Sequence, residues 1–254
     1  MRKGLAWREW ALLTAAGTLA GFAAIPALWA QVEPIIRAQS LPLPAFLAIQ
    51  FVQSGIQVAI IVAAGLFFAH RAGLGAPILE GWLAGDKVGA TLKSILAPSI
   101  LAGTAGAVMA IAVDRLVFMP LLPGFSTIIT RVGGWQGVLA SFYGGILEEL
   151  EMRLLVLSVA AWLLGKLSHT PAGMPSRGAL WIAALTAAVV FALGHLPATS
   201  VSVAITPPVI LRSLVLNGGL GLLFGYFYSK RGLEAAMLSH FSADIVIHFI
   251  QSLL

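Results

Sequence analysis

Long apolar runs decide what this chain can become. A helix crosses the hydrocarbon core of a bilayer in about 20 residues. Seven runs reach that length or approach it, at about 10–30, 43–69, 94–119, 136–165, 179–197, 208–229 and 233–253. They predict an all-α fold, a polytopic transmembrane helical bundle forming a single membrane domain over 1–254. Hydrophobic residues make up 59% of the chain and charged residues 10%. Soluble domains carry about a quarter charged residues, so such a surface is not built for water. The chain has no cysteine, which excludes disulfides, a thiolate nucleophile and thiolate metal sites. Arg2, Lys3 and Arg8 precede the first run. That run is long and lacks a clear cleavage signal, so it reads as a retained first helix. The segment 71–93 mixes Leu79, Trp82 and Leu83 with Glu80, Asp86 and Lys87. It fits an interfacial amphipathic helix or an ordinary loop.

Basic residues orient the runs. With the N-terminus inside, the inner side holds Arg2, Lys3, Arg8, Arg71, Lys87, Lys93, Lys166, Arg177, Lys230 and Arg231. The outer side holds Arg37 and Arg131. This is a positive-inside bias, and it supports an odd number of spans. Membrane orientation explains the net charge of +5 better than nucleic-acid binding does.

The fourth run contains Glu148-Glu149-Leu150-Glu151-Met152-Arg153. An ionisable group at the centre of a membrane helix costs about 2.5–3.5 kcal/mol on insertion scales. Three carboxylates and a guanidinium in six residues therefore point to function. At 100° per α-helical residue, Glu149 and Arg153 share a face and can pair. Glu148 lies on one flank, with Glu151 near it one turn on. Two adjacent carboxylates in unequal surroundings suit acid/base chemistry; a helix-packing salt bridge is the alternative for the Glu149–Arg153 pair.

The fifth run ends at Pro197, shortly after Phe191-Ala192-Leu193-Gly194-His195. Phe191 lies one turn before His195 and is placed to buttress its ring. The last run carries His240-Phe241-Ser242-Ala243-Asp244 and then His248. His240 and Asp244, four apart, share a face. They suit metal binding, an oriented imidazole, or an interhelical hydrogen bond. His248 reads as interfacial. Asp114 and Arg115 are expected to find opposite charges or water, and Arg212 to snorkel to a span end. The stretch Asn217-Gly218-Gly219-Leu220-Gly221 reads as a close helix approach rather than a phosphate loop.

Three elements stand in order on three different predicted spans: Glu-Glu-x-x-x-Arg at 148–153, Phe-x-x-x-His at 191–195 and His-x-x-x-Asp at 240–244. Together they resemble the CPBP family, the CAAX proteases and bacteriocin-processing enzymes also called Abi. The resemblance covers roughly 140–250 and implies a catalytic core there. It implies an intramembrane endopeptidase in which Glu148 and His195 activate water. Glu149 and Arg153 would hold the first carboxylate, and His240 with Asp244 would stabilise the oxyanion. The CAAX-protease branch resembles an Asn pattern where Asp244 stands here. Asn donates a hydrogen bond and ionised Asp does not. Asp244 would then be protonated, orient His240 or bind a metal. Two chemistries stay open: a zinc site drawn from His195, His240 and Asp244, or a metal-free glutamate mechanism.

Convergence of spans four, five and seven would bring Glu148, His195 and His240 around one wet cavity. Three isolated buried polar sites would each be costly. The implied partners are a peptide or membrane-protein substrate and the lipid bilayer, with no nucleic acid. Prenylated tails are one substrate class the resemblance implies. The short-looped basic chain fits a prokaryotic cytoplasmic membrane. The rival readings are a catalytically silent scaffold or immunity protein and a proton-coupled transporter. The absence of a duplicated half argues against the transporter.

Overall fold

A computed structural model describes residues 3–122 and 134–250, and these are helical with connecting turns. Arg2, Arg131 and positions 251–253 of the last predicted span lie outside the described residues. The helices are α1 (Lys3–Ala23), α2 (Trp29–Gln39), α3 (Leu43–Ala72), α4 (Pro77–Ala84) and α5 (Gly89–Leu121). They continue with α6 (134–165), α7 (Arg177–Ser200), α8 (Pro207–Arg231) and α9 (233–250).

Four of these are long and apolar enough to cross a membrane: α3, α5, α7 and α8. Their outer faces are greasy. Val52, Ile56 and Ile60 on α3, Leu101, Met109 and Leu116 on α5, and Trp181, Ile182 and Leu185 on α7 are all exposed. Exposed apolar faces on long apolar helices are what lipid solvates.

The seventh predicted span, 233–253, is helical through 250 but is not among these four, and three others come out differently. The first does not run unbroken from 10 to 30, because α1 ends at Ala23 and a turn precedes α2. Pro26, which has no N–H to donate, stands in that turn. The fourth is helical throughout, but its charged cluster sets it apart from an ordinary lipid-facing span. The fifth does not stop at Pro197. The helix turns at His195 and resumes over Leu196–Ser200, with Pro197 in the first turn of the new piece, where a missing N–H is harmless. Segment 71–93 contains the short helix α4 flanked by turns.

Helix α6 is the axis of the bundle and packs against α1, α3, α7 and α9. Leu150, Leu154, Leu157 and Ala161 lie fully buried along it, facing Val62 and Ala69 of α3 in one core. Close approach is built in at glycines. A Cβ on Gly65 would stand 3.0 Å from the Leu154 carbonyl oxygen, and one on Gly103 of α5 would overlap the Ser239 carbonyl of α9. Polar links cross two further seams, α1 to α3 and α8 to α7. Trp10 Nε1 donates to the Ala59 carbonyl at 2.9 Å, and Ser213 Oγ to the Ala192 carbonyl at 2.6 Å.

α6 is not a uniform α-helix. Tyr143–Glu148 and Leu150–Leu157 are wound as π-helix, with i→i+5 hydrogen bonds. More residues per turn means less rotation per residue than the 100° of the sequence reading. Neighbours in sequence diverge less around the axis.

Candidate active site

The charged cluster on α6 meets α9 at His240. Glu149 is fully buried and so is Arg153, whose Nη1 lies 2.8 Å from Glu149 Oε1. Arg153 Nη2 donates to the Gly221 carbonyl of α8 at 2.8 Å. The same Glu149 Oε1 accepts from His240 Nδ1 at 2.7 Å. The helical spacing therefore places Glu149 beside Arg153, and the Glu149 carboxylate then holds the imidazole of another helix. This differs from the implied role of the pair, which was to hold Glu148.

Both adjacent carboxylates face one ring. Glu148 Oε2 is 3.6 Å from His240 Nε2, and Asp244 Oδ1 lies at 3.6 Å from the same atom. The reduced rotation of the π-wound segment lets Glu148 and Glu149 address the two nitrogens of a single imidazole. Their surroundings are unequal: the Glu148 side chain keeps 19% of its surface and Glu149 none. At 3.6 Å the contacts to Nε2 are too long for direct hydrogen bonds.

Aromatic rings fix His240. Phe224 of α8 stacks on it at 4.3 Å and 19°, and Phe191 of α7 meets it edge-on at 5.6 Å. Phe191 also meets His195 edge-on at 4.6 Å. The Arg153 guanidinium lies 5.0 Å from Phe191 and 5.2 Å from Phe224, within cation–π range. Phe191 thus touches the rings of both histidines and links α7 to α9. His195 is half-buried at the turn of α7, and its Nδ1 lies 2.8 Å from the Phe191 carbonyl. A carbonyl only accepts, so Nδ1 is the donor in this contact.

Glycines again permit the geometry. A Cβ on Gly144 would overlap Asp244 Oδ2 and stand 3.1 Å from His240 Nε2. In the stretch Asn217–Gly221, Gly221 makes the close approach, with a Cβ there 3.1 Å from Phe191 Cδ1. Arg212 does not snorkel: it donates through Nε and Nη2 to both Asp114 oxygens at 2.6 Å, tying α8 to α5.

His195, His240 and Asp244 are not gathered as zinc ligands. Among the described residues, the set of three whose ligand atoms all lie within 4.8 Å of one another is Glu9, His70 and Glu80. That set went unremarked in the sequence. The signal was present: with the N-terminus inside, the start of span one, the end of span two and the following segment share one side.

Helices α6 and α9 thus bring Glu148, Glu149, Arg153, His240 and Asp244 together, and Phe191 of α7 links His195 to them. Residues 131–246 match the family model described as type II CAAX prenyl endopeptidase Rce1-like. Over that segment the chain is similar to the CAAX protease, or CPBP, family. No curated protein and no solved structure matches the chain.

Proposed function

We propose that this protein is an intramembrane endopeptidase that hydrolyses peptide bonds with a water activated by Glu148 and His195. The observation that carries the reading is His240. Its Nδ1 is tied to the buried Glu149–Arg153 pair, and its Nε2 faces Glu148 and Asp244.

Each group has work suited to its surroundings. Glu148, the less buried carboxylate, accepts a proton from the attacking water. His195 Nε2 orients that water. The water oxygen bonds to the scissile carbonyl carbon, and negative charge develops on the carbonyl oxygen. His240, when protonated, donates from Nε2 to that oxygen. Glu149 supports the positive ring, and Asp244 orients it. The C–N bond then breaks as Glu148 returns its proton to the leaving amine. A positioned base and a positioned oxyanion donor are the two requirements of peptide hydrolysis. The cycle routes no step through a metal. With the N-terminus inside a prokaryotic cytoplasmic membrane, an apolar segment enters laterally from the bilayer. A CAAX-type tail is the substrate class that the family description suggests.

The test uses purified protein in detergent, prenylated and unprenylated tail peptides, and product masses. Cleavage gives two fragments whose masses sum to the substrate plus one water. Uptake into vesicles without cleavage would support the transporter instead.

A further inference from the structure

A second polar cluster lies away from Glu148. It joins Glu9 of α1, His70 near the end of α3 and Glu80 of α4. His70 Nε2 stands 3.6 Å from Glu9 Oε2 and 3.7 Å from Glu80 Oε1. Direct N–H···O bonds end near about 3.2 Å. Ligands on one ion stand further apart: with bonds of about 2.0–2.2 Å, tetrahedral neighbours are separated by about 3.3–3.6 Å. The spacing is that of donors around a centre.

The site is also built. Glu9 keeps 1% of its side-chain surface, faces His70, and has no hydrogen-bond partner at Oε1. A buried polar oxygen is costly without a partner. Glu80 is held by the Ala76 N–H, which donates to Oε1 at 2.9 Å. Gly75 makes room, since a Cβ there would overlap the same oxygen. His70 and Glu80 keep 30% and 34% of their surfaces, which leaves an entry path.

We propose that Glu9, His70 and Glu80 bind a divalent transition-metal ion of the zinc type, clamping α1, α3 and α4 together. Two carboxylates carry the charge that one divalent ion cancels. Imidazole favours zinc and its neighbours over magnesium or calcium, which take oxygen ligands. The water-activating residues lie on α6, α7 and α9, so this site stands whether or not the hydrolytic reading does.

The probe is Co²⁺, added to chelator-stripped protein in detergent and followed by its visible absorption. Wild type is expected to retain one equivalent through desalting. His70→Ala and Glu80→Gln, both at partly exposed positions, should raise the Kd at least about tenfold. Glu9→Gln should do the same where gel filtration shows it folded. His240→Gln should keep the equivalent. Zn²⁺ should raise the Tm of wild type and leave that of His70→Ala unchanged. No retained Co²⁺ in wild type, equal retention by folded His70→Ala, or loss on His240→Gln with retention by His70→Ala would each overturn the proposal.

Discussion

Arg153 is the residue that ties α6 to α8 beside Glu149. It is fully buried, lies 2.8 Å from Glu149 and donates to the Gly221 carbonyl. Removing one partner of a buried ion pair strands the other charge, at about 3–5 kcal/mol. Arg153→Ala should therefore lower the unfolding free energy in detergent by that order and abolish activity. Arg153→Lys keeps the charge but lacks the planar fork that reaches Glu149 and Gly221 together. It should unfold between wild type and Arg153→Ala and turn over more slowly than wild type. Full stability and full activity in both variants would remove Arg153 from the account. The Glu149–Arg153 contact was legible in the sequence, because four-residue spacing puts two side chains on one helix face. The bond from His240 to Glu149 was not, since it joins residues 91 apart on helices whose rotation only packing fixes.

Among the elements, the winding of α6 carries the most consequence. Nothing in the pattern of Tyr143 to Leu157 separates an α-helix from a π-helix, and the difference decides which ring Glu148 faces. The end of α1 was obscured in a similar way: apolar residues run past Ala23, while backbone geometry near Pro26 breaks the helix. Glycines give the sharpest test at this scale. Gly144→Ala puts a methyl group against Asp244 and His240, so it should cut turnover at least about tenfold, with overpacking costing about 1–3 kcal/mol. Gly89 has open space where a Cβ would go, so Gly89→Ala should leave turnover near wild type. Both variants would be assayed on one substrate, with folding checked by thermal melts. Equal activity in the two would mean that the Gly144 contact does not shape the site.

At the scale of the whole molecule, the claim is an orientation. Four helices qualify as spans by length and apolarity, and the inward N-terminus rests on the distribution of basic residues. The chain has no cysteine, so single introduced thiols report cleanly. Asp86→Cys lies between α4 and α5, and Ser202→Cys follows α7; both positions are exposed. In intact cells a membrane-impermeant maleimide should label Ser202→Cys at once and Asp86→Cys only after permeabilisation. The reverse pattern would invert the topology. The all-helical class and the three ordered motifs were readable because apolar length and local spacing are properties of sequence. The Glu9–His70–Glu80 cluster and the Asp114–Arg212 pair needed the fold, because each joins distant helices.

The central claim is that Glu148 is the base, and one comparison tests it. Glu148→Gln keeps the side-chain shape and removes the proton acceptor, while Glu151→Gln makes the same change three residues on. Both purified variants, shown to be folded by gel filtration and thermal melting, would be assayed with wild type on the same peptide. The account predicts that Glu148→Gln loses about 10²–10⁴ in rate and that Glu151→Gln retains most of its activity. Near-normal turnover by Glu148→Gln alongside an inactive Glu151→Gln would contradict it and move the base to Glu151.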